Sequence, residues 1–445
     1  MVFQGVKFAV IGMGKSGISA VRLLGHLGAE VLAVNNGNIE QWSDSVESFS
    51  SLTLMEQGQL DCESALLQMN FIVLSPGISR DIEILRAAKQ KGVVVISEIE
   101  LAYMALSDRL SKIISITGTN GKTTTVTLID LLARAAGKSV FLGGNIGTPF
   151  ADYAYEVLSN KRKECDLIIL ELSSFQLESM QTFKSDAAAI LNITPSHGER
   201  YEEVRDYALA KLHIVDRMNL NEDIFVGDLS GYEKDLPAGI KVSKLETPKA
   251  LKEIHSELEG RFHLIGSHNL SNLNFATKLL ASVSIDWTKG VEGLEGFSGV
   301  KYRLQKRAAR KELLVFNDAK STNWEATFTA LNACQFSYPK SDVELILGGQ
   351  LRGHGDELGD KLHSLKNVVT KLYLFGESGR LLMNEISDRF PCEYFETLDL
   401  VVERMSKDTS ERIILLSPAF PSFDQYENYI QRGESFDLLV NEYLG

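Results

Sequence analysis

The sequence predicts an α/β protein built as three domains around parallel sheets, and three observations predict it. Runs of four to seven residues, apolar on both faces, alternate with helical patterns along the whole chain, as strands covered by helices on both sides require. Two glycine-rich turns, GMGKSG at 12–17 and GTNGKTT at 118–124, each follow an apolar strand and open a helix. A chain of 445 residues also exceeds what one core holds, at roughly 150 residues per domain.

The first group of expected strands is Lys7–Ile11, Val31–Val34, Phe71–Leu74 and Val93–Ile96, which sets a domain over 1–97. A second group is Ile113–Thr117, Ser139–Leu142, Asp166–Glu171 and Ala187–Ile193, in a domain over 98–299 that begins with the helical SEIELAYMALS. The polar, turn-rich stretch 227–260 reads as an irregular excursion on that domain. Past the glycine-rich GVEGLEGFSGV, the strands Glu312–Asn317, Val343–Leu347, Lys371–Phe375 and Arg412–Leu416 define a third domain over 300–445.

Composition narrows the function. The net charge of −13 excludes the broad basic face that nucleic-acid binding needs, though not a local cationic cleft for small anions. Cys62, Cys165, Cys334 and Cys392 are scattered, which predicts free thiols in a reducing cytosol. No apolar run approaches ~18 residues and no leader precedes VKFAVIG, so a cytoplasmic protein without membrane contact is expected.

GMGKSG fits the dinucleotide fingerprint, but that site needs an acid at the end of the second strand for the ribose. VLAVNNGN supplies Asn35 and Asn36 there, while Glu30 and Glu40 fall outside the strand end. The NAD reading weakens at that point. Gly12, Gly14 and Gly17 still let phosphate approach a helix N-terminus, with Lys15 and Ser16 as donors.

In GTNGKTT, Gly118 and Gly121 permit close backbone approach, Lys122 reaches terminal phosphates, and Thr123 or Thr124 offers a hydroxyl to Mg²⁺. The strict G-x-x-x-x-G-K-[ST] pattern fails at Ile116, so the loop is a shorter variant. Glu171 and His197 stand at or just past the ends of neighbouring strands, where α/β sheets place ligands. Val204, Tyr207, Ala208, Leu212 and Val215 form an apolar stripe that includes Lys211. A lysine there either turns inward with a lowered pKa or snorkels to water, and spacing alone favours snorkelling.

Together with GGNIGTP (143–149), LELSSFQLE (170–178), SHNLSN (267–272), NDAKSTN (317–323) and LSPAFPSFDQYENYIQRG (416–433), these motifs resemble, in order, the ATP-dependent Mur ligases of peptidoglycan synthesis. SSFQLE, the LSPG turn at 74–77 and the SPA…SFDQ ending resemble the members that add D-glutamate to UDP-N-acetylmuramoyl-L-alanine. The resemblance implies a Rossmann-like N-terminal domain holding the UDP-substrate, a central P-loop-type ATPase domain, and a C-terminal Rossmann-like domain for the amino acid. It implies that the loop Gly118, Thr119, Asn120, Gly121 and Lys122 holds ATP. Two Mg²⁺ would be held by Thr123 or Thr124 with Glu171, and by His197, with Lys211 as a carbamylated lysine; this reverses the preference for snorkelling.

By the same resemblance Asn145 contacts the substrate near its reacting end, and Asn269 and Asn272 serve the base of ATP. Arg303 and Lys320 reach ATP or an acyl phosphate, with Asp318 on the ribose. Thr322, Arg352, Ser422 and Tyr429 line the D-glutamate pocket; Gly14, Lys15, Ser16, Asn35, Asn36, Ser75 and Gly77 hold the UDP-substrate. The chain departs from the family pattern at Tyr302, Ser196, Glu199, Arg352 and Asn35-Asn36. A monomer is expected. The competing readings are a sibling amide ligase for another amino acid, a nicotinamide oxidoreductase fused to an NTPase, and a non-catalytic nucleotide-gated scaffold. Asn120, where a sibling carries histidine, and the missing D-N-P-R motif count against the siblings.

Overall fold

A computed structural model describes residues 3–80, 82–107, 111–198, 200–219, 222–245, 258, 261–351 and 368–445. Three sheets form along the chain. The first contains β1 (Lys7–Ile11), β2 (Glu30–Asn35), β3 (Leu52–Glu56), β4 (Phe71–Leu74) and β5 (Val94–Ser97), all parallel in the order β3-β2-β1-β4-β5. Its helices are α1 (Lys15–His26), α2 (Cys62–Leu66) and α3 (Glu83–Gln90), and α4 (Glu98–Ala105) follows directly.

The second sheet contains β6 (Lys112–Thr117), β7 (Val140–Gly144), β8 (Leu167–Glu171), β9 (Ala187–Asn192), β10 (Asp223–Asp228) and β11 (Val242–Lys244). It too is parallel, in the order β11-β10-β9-β6-β8-β7, with α5 (Lys122–Ala135), α6 (Phe150–Leu158), α7 (Ser174–Leu177) and α8 (Val204–Leu212) between strands. Helix α9 (Ser267–Ser282) leads to the third sheet, β12 (Gln305–Arg307), β13 (Leu313–Asn317), β14 (Val343–Gly348), β15 (Lys371–Phe375), β16 (Cys392–Phe395) and β17 (Arg412–Ala419). Its order is β12-β13-β17-β14-β15-β16, and β12 alone runs antiparallel. Helices α10 (Trp324–Ser337), α11 (Gly376–Ile386), α12 (Leu398–Ser406) and α13 (Tyr429–Tyr443) cover it.

All twelve expected strands form, within one to three residues at their ends. The strands the sequence reading lacks are β3, β10, β11, β12 and β16. Four of them are sheet edges, which need no two-sided apolar run. The reading of 227–260 as irregular is corrected: β11 lies inside it, paired with β10.

The chain divides into two compact units, Met1–Glu257 with Asn272–Leu294, and Leu258–Ser271 with Glu295–Gly445. The first two sheets share one unit because one apolar core runs through both, from Phe8 and Val10 to Ile168 and Ile190. Helices α1, α4 and α6 pack on one another inside that unit. Polar ties reinforce them: Arg22 pairs with Asp152 at 3.0 Å, and Glu98 accepts from the Ala151 amide at the start of α6. Glu100 accepts from the amides of Gln181, Thr182 and Phe183, so α4 binds the second sheet at both of its first-turn acids.

Candidate active site

Strand β6 ends at Thr117, and α5 begins at Lys122 after only four intervening residues, so the chain must turn sharply at the strand's carboxyl end. Gly118 and Gly121 adopt φ of 149° and 85°. A Cβ on Gly121 would lie 2.5 Å from Asn272 Oδ1, and one on Gly118 3.0 Å from Leu191 Cβ; only glycine fits this cradle. Helix α5 has neither a side-chain cap nor an acid in its first turn. Its amino end therefore presents partial positive charge to an anion.

The loop is clamped from β9. The Asn120 amide donates to Asn192 Oδ1 at 2.9 Å, Asn192 Nδ2 donates back to the Asn120 carbonyl at 3.1 Å, and the Thr119 amide bonds the Asn192 carbonyl. Thr119 Oγ1 meets Thr194 and the Tyr207 hydroxyl. Asn192 and Thr194 were missed by sequence reasoning. Their only signal is their place in ILNIT, singled out for His197 alone.

Glu171 ends β8 and is buried. Its Oε2 accepts from Thr123 Oγ1 at 2.8 Å and its Oε1 from Asn145 Nδ2 at 3.0 Å, so three expected residues meet. Of the two candidate threonines, Thr123 reaches Glu171, while Thr124 is half-buried on the next position. A carboxylate beside a hydroxyl at the foot of a phosphate loop is a hard-oxygen donor set that suits Mg²⁺, which keeps phosphate and water as its other ligands. Among the described residues no three His, Cys, Asp or Glu side chains form a ready-made metal cluster.

Lys211 is only 1% exposed, so the snorkelling alternative is corrected. Its Nζ donates to the Gly118 carbonyl at 2.9 Å, stands 3.4 Å from Thr117 Oγ1, and lies 4.5 Å from the centre of the Tyr207 ring. Burial holds its pKa well below the ordinary lysine value; the Lys122 charge adds to this and Glu171 opposes it. Lys122 itself donates to the Gly118 and Thr119 carbonyls at 2.8 and 2.9 Å. The apolar stripe is corrected at one position: Val204 is exposed at the free end of α8. His197 adopts φ of 58° and sits against Phe175 and Tyr207, with ring centres 5.1 and 5.9 Å away.

In the first sheet the glycines of GMGKSG divide their tasks. Gly12 makes the turn at φ of 92°, and Gly17 lets α1 lie against it, since a Cβ there would be 1.9 Å from the Gly12 carbonyl oxygen. Only Gly14 opens to solvent, as the uncapped start of α1. Gly12 and Gly17 thus shape the turn that leaves the start of α1 open at Gly14. Asn35 Oδ1 accepts from the Met13 amide at 3.1 Å and Ser75 Oγ donates to the Gly12 carbonyl at 2.8 Å, so both residues shape the loop. Lys15, Asn36 and Gly77 are exposed around it, and Ser16 is half-buried.

Asn272, on α9, completes the phosphate-loop cradle and accepts from Thr125 Oγ1 at 3.3 Å. Asn269, one turn earlier, donates to the Ile265 carbonyl and falls in the second unit. There Asp318 is buried with both oxygens engaged, by the Leu304 amide at 2.9 Å and Ser417 Oγ at 2.8 Å. Burial raises its pKa to about 7. Lys320 Nζ lies 4.3 Å from the centre of the Tyr429 ring, and Arg303 and Thr322 are half-buried nearby in sequence. Ser422 is buried, and its carbonyl caps the Gln425 and Tyr426 amides. Arg352 and Glu199 lie outside the described residues.

The chain matches the family model "Mur ligase middle domain" over residues 116–244 and "Mur ligase MurD-like, N-terminal domain" over 6–97. It is 32% identical to a UDP-N-acetylmuramoylalanine–D-glutamate ligase of Caldanaerobacter subterraneus, covering 97% of each chain. It is 33% identical to the ligase of that name from Caldicellulosiruptor bescii, covering 100% of this chain and 99% of the relative. Among solved structures, the MurF ligase of Thermotoga maritima in complex with ADP shares the fold, with a TM-score of 0.61 at 15% identity over 99% of this chain and 96% of that one.

Proposed function

The chain belongs to the Mur ligase family, and on that premise we propose that it uses ATP to add D-glutamate to UDP-N-acetylmuramoyl-L-alanine, a step of peptidoglycan precursor synthesis. The observation that carries the reaction class is buried Lys211 beside Glu171 on one phosphate loop; the likeness over the whole chain to ligases of that name supports the amino acid. The substrate carboxylate attacks the γ-phosphorus, ADP leaves, and an acyl phosphate forms. The amine of D-glutamate then adds to the acyl carbon, phosphate departs and a proton is lost, leaving the amide. Such transfers need positioning and charge neutralisation more than covalent help from the protein.

Lys122 and the amino end of α5 face the β- and γ-phosphates, with Thr119, Asn120 and Asn272 shaping the loop and Asn269 on the base side. Thr123, Glu171 and His197 are the metal-side donors, and Mg²⁺, when bound, offsets phosphate charge. Asn145 orients the reacting carboxylate next to Glu171. Burial disfavours the charged amine, so Lys211 Nζ would add to carbon dioxide, lose a proton and become an anionic carbamate, which would supply an oxygen donor on the metal side. Arg303, Lys320 and Asp318 serve ATP and the acyl phosphate. Thr322, Arg352, Ser422 and Tyr429 receive D-glutamate, while the amino end of α1, with Asn35, Asn36, Ser75 and Gly77, holds the UDP-substrate. The proposed domains are 1–97, 98–299 and 300–445, in a cytoplasmic monomer.

Purified protein should release ADP and phosphate only when UDP-N-acetylmuramoyl-L-alanine, D-glutamate, ATP and Mg²⁺ are all present. Turnover with L-lysine or diaminopimelate and none with D-glutamate would sink this reading.

A further inference from the structure

Arg432, in the first turn of α13, is wholly buried and is the bulkiest such side chain among the described residues. A guanidinium stripped of water ordinarily faces a carboxylate. Arg432 instead donates to three backbone carbonyls: Nη1 to Phe420 at 2.9 Å and to Gly348 at 3.3 Å, and Nη2 to Ala319 at 2.9 Å. Burial lowers its pKa to about 10, so it stays charged at neutral pH.

Those carbonyls stand at the carboxyl ends of β13, β14 and β17, which are neighbours in the third sheet. The segments leaving them carry Lys320 and Thr322, Gln350, and Ser422 in turn. The Gln350 amide ties two of these segments by donating to the Pro421 carbonyl at 2.7 Å. Gly349, at φ of 139°, closes the packing: a Cβ there would lie 2.1 Å from the Pro421 oxygen and 3.0 Å from Arg432 Nη1. Carbonyl oxygens at strand ends present negative charge toward whatever binds there, which disfavours an anion. Arg432 occupies three of them with a charged guanidinium, and the charges of Asp424 and Asp318 act on it from nearby and favour that charged form.

We propose that Arg432 is a positioning residue for the acceptor amino acid: by bonding three strand-end carbonyls at once it holds the loops that receive the dicarboxylate at one spacing. This rests on the D-glutamate reading above. Removing it should weaken D-glutamate but not the UDP-substrate, because the residues assigned to the UDP-substrate all lie in the other compact unit.

The test is steady-state kinetics of the full-length enzyme with Arg432→Met, Arg432→Lys and Gly349→Ala. Losing hydrogen bonds to a charged group predicts a KM for D-glutamate raised by about tenfold or more in Arg432→Met, with the KM for the UDP-substrate within about twofold. Arg432→Lys keeps charge but not the planar fork, so its KM should fall between wild type and Arg432→Met. A merely structural role would lower the folded fraction, hence kcat, and leave both KM values in place. If Arg432→Met shows no cooperative thermal transition, Gly349→Ala, whose Cβ would press on the Pro421 carbonyl and on Arg432 Nη1 while keeping the arginine, should raise the D-glutamate KM and leave that of the UDP-substrate in place. An unchanged amino-acid KM in any folded variant, or an equal rise for the UDP-substrate, overturns the role. Should wild type take another amino acid, the D-glutamate reading fails, and the KM for that amino acid then decides the role of Arg432.

Discussion

Lys211 shows how far one residue's chemistry depends on depth. From spacing it could be read either way; at 1% exposure, with the Gly118 carbonyl at 2.9 Å, its charged form has lost water without gaining, among the described residues, a carboxylate at bonding distance. The carbamate role predicts that Lys211→Ala loses turnover, on the order of a thousandfold as for loss of a key charge-stabilising group, and that short carboxylic acids added to the assay restore part of it. Full activity in that variant would contradict the role. Glu171 was legible because an acid directly after an apolar run marks a strand end. Asn192 was not: an asparagine at the next strand's end looks like any other, and only the pairing of its amide with Asn120 reveals the clamp.

At the scale of elements, α4 does more than its sequence suggests. Apolar almost throughout, it reads as a domain's first helix, yet its two first-turn acids are buried and cap α6 and the chain at 181–183. Glu98 Oε2 has no hydrogen-bond partner among the described residues, and burial raises its pKa to about 8. The folded state therefore favours the protonated acid. Its contribution to stability is full below the ordinary value of 4.5 and is lost as pH climbs toward about 8. Between about pH 5 and pH 8, wild type should lose stability relative to Glu98→Gln by an amount on the order of a few kcal/mol. Denaturation midpoints at the two pH values measure this; a constant difference would show that Glu98 does not titrate in that window.

At the scale of the molecule, the ligand sites are divided between the two compact units: the residues assigned to the UDP-substrate lie in one, and those assigned to D-glutamate in the other. Hydrogen exchange should therefore slow only in the unit of the first two sheets when UDP-N-acetylmuramoyl-L-alanine is added alone. At about a hundred times Kd the stabilisation is ~2.7 kcal/mol. Equal protection across the third sheet would show the assignment of the UDP-substrate residues to be incomplete. The twelve principal strands, both glycine-rich loops and the acid at the end of β8 can be read from local patterning, because buried parallel strands and phosphate turns each impose a local residue pattern. The inward turn of Lys211, the single core that joins the first two sheets and the three strand ends gathered by Arg432 emerge only in the folded chain. Those outcomes depend on what lies opposite a side chain after residues distant in sequence meet, and on how much water is left when they do.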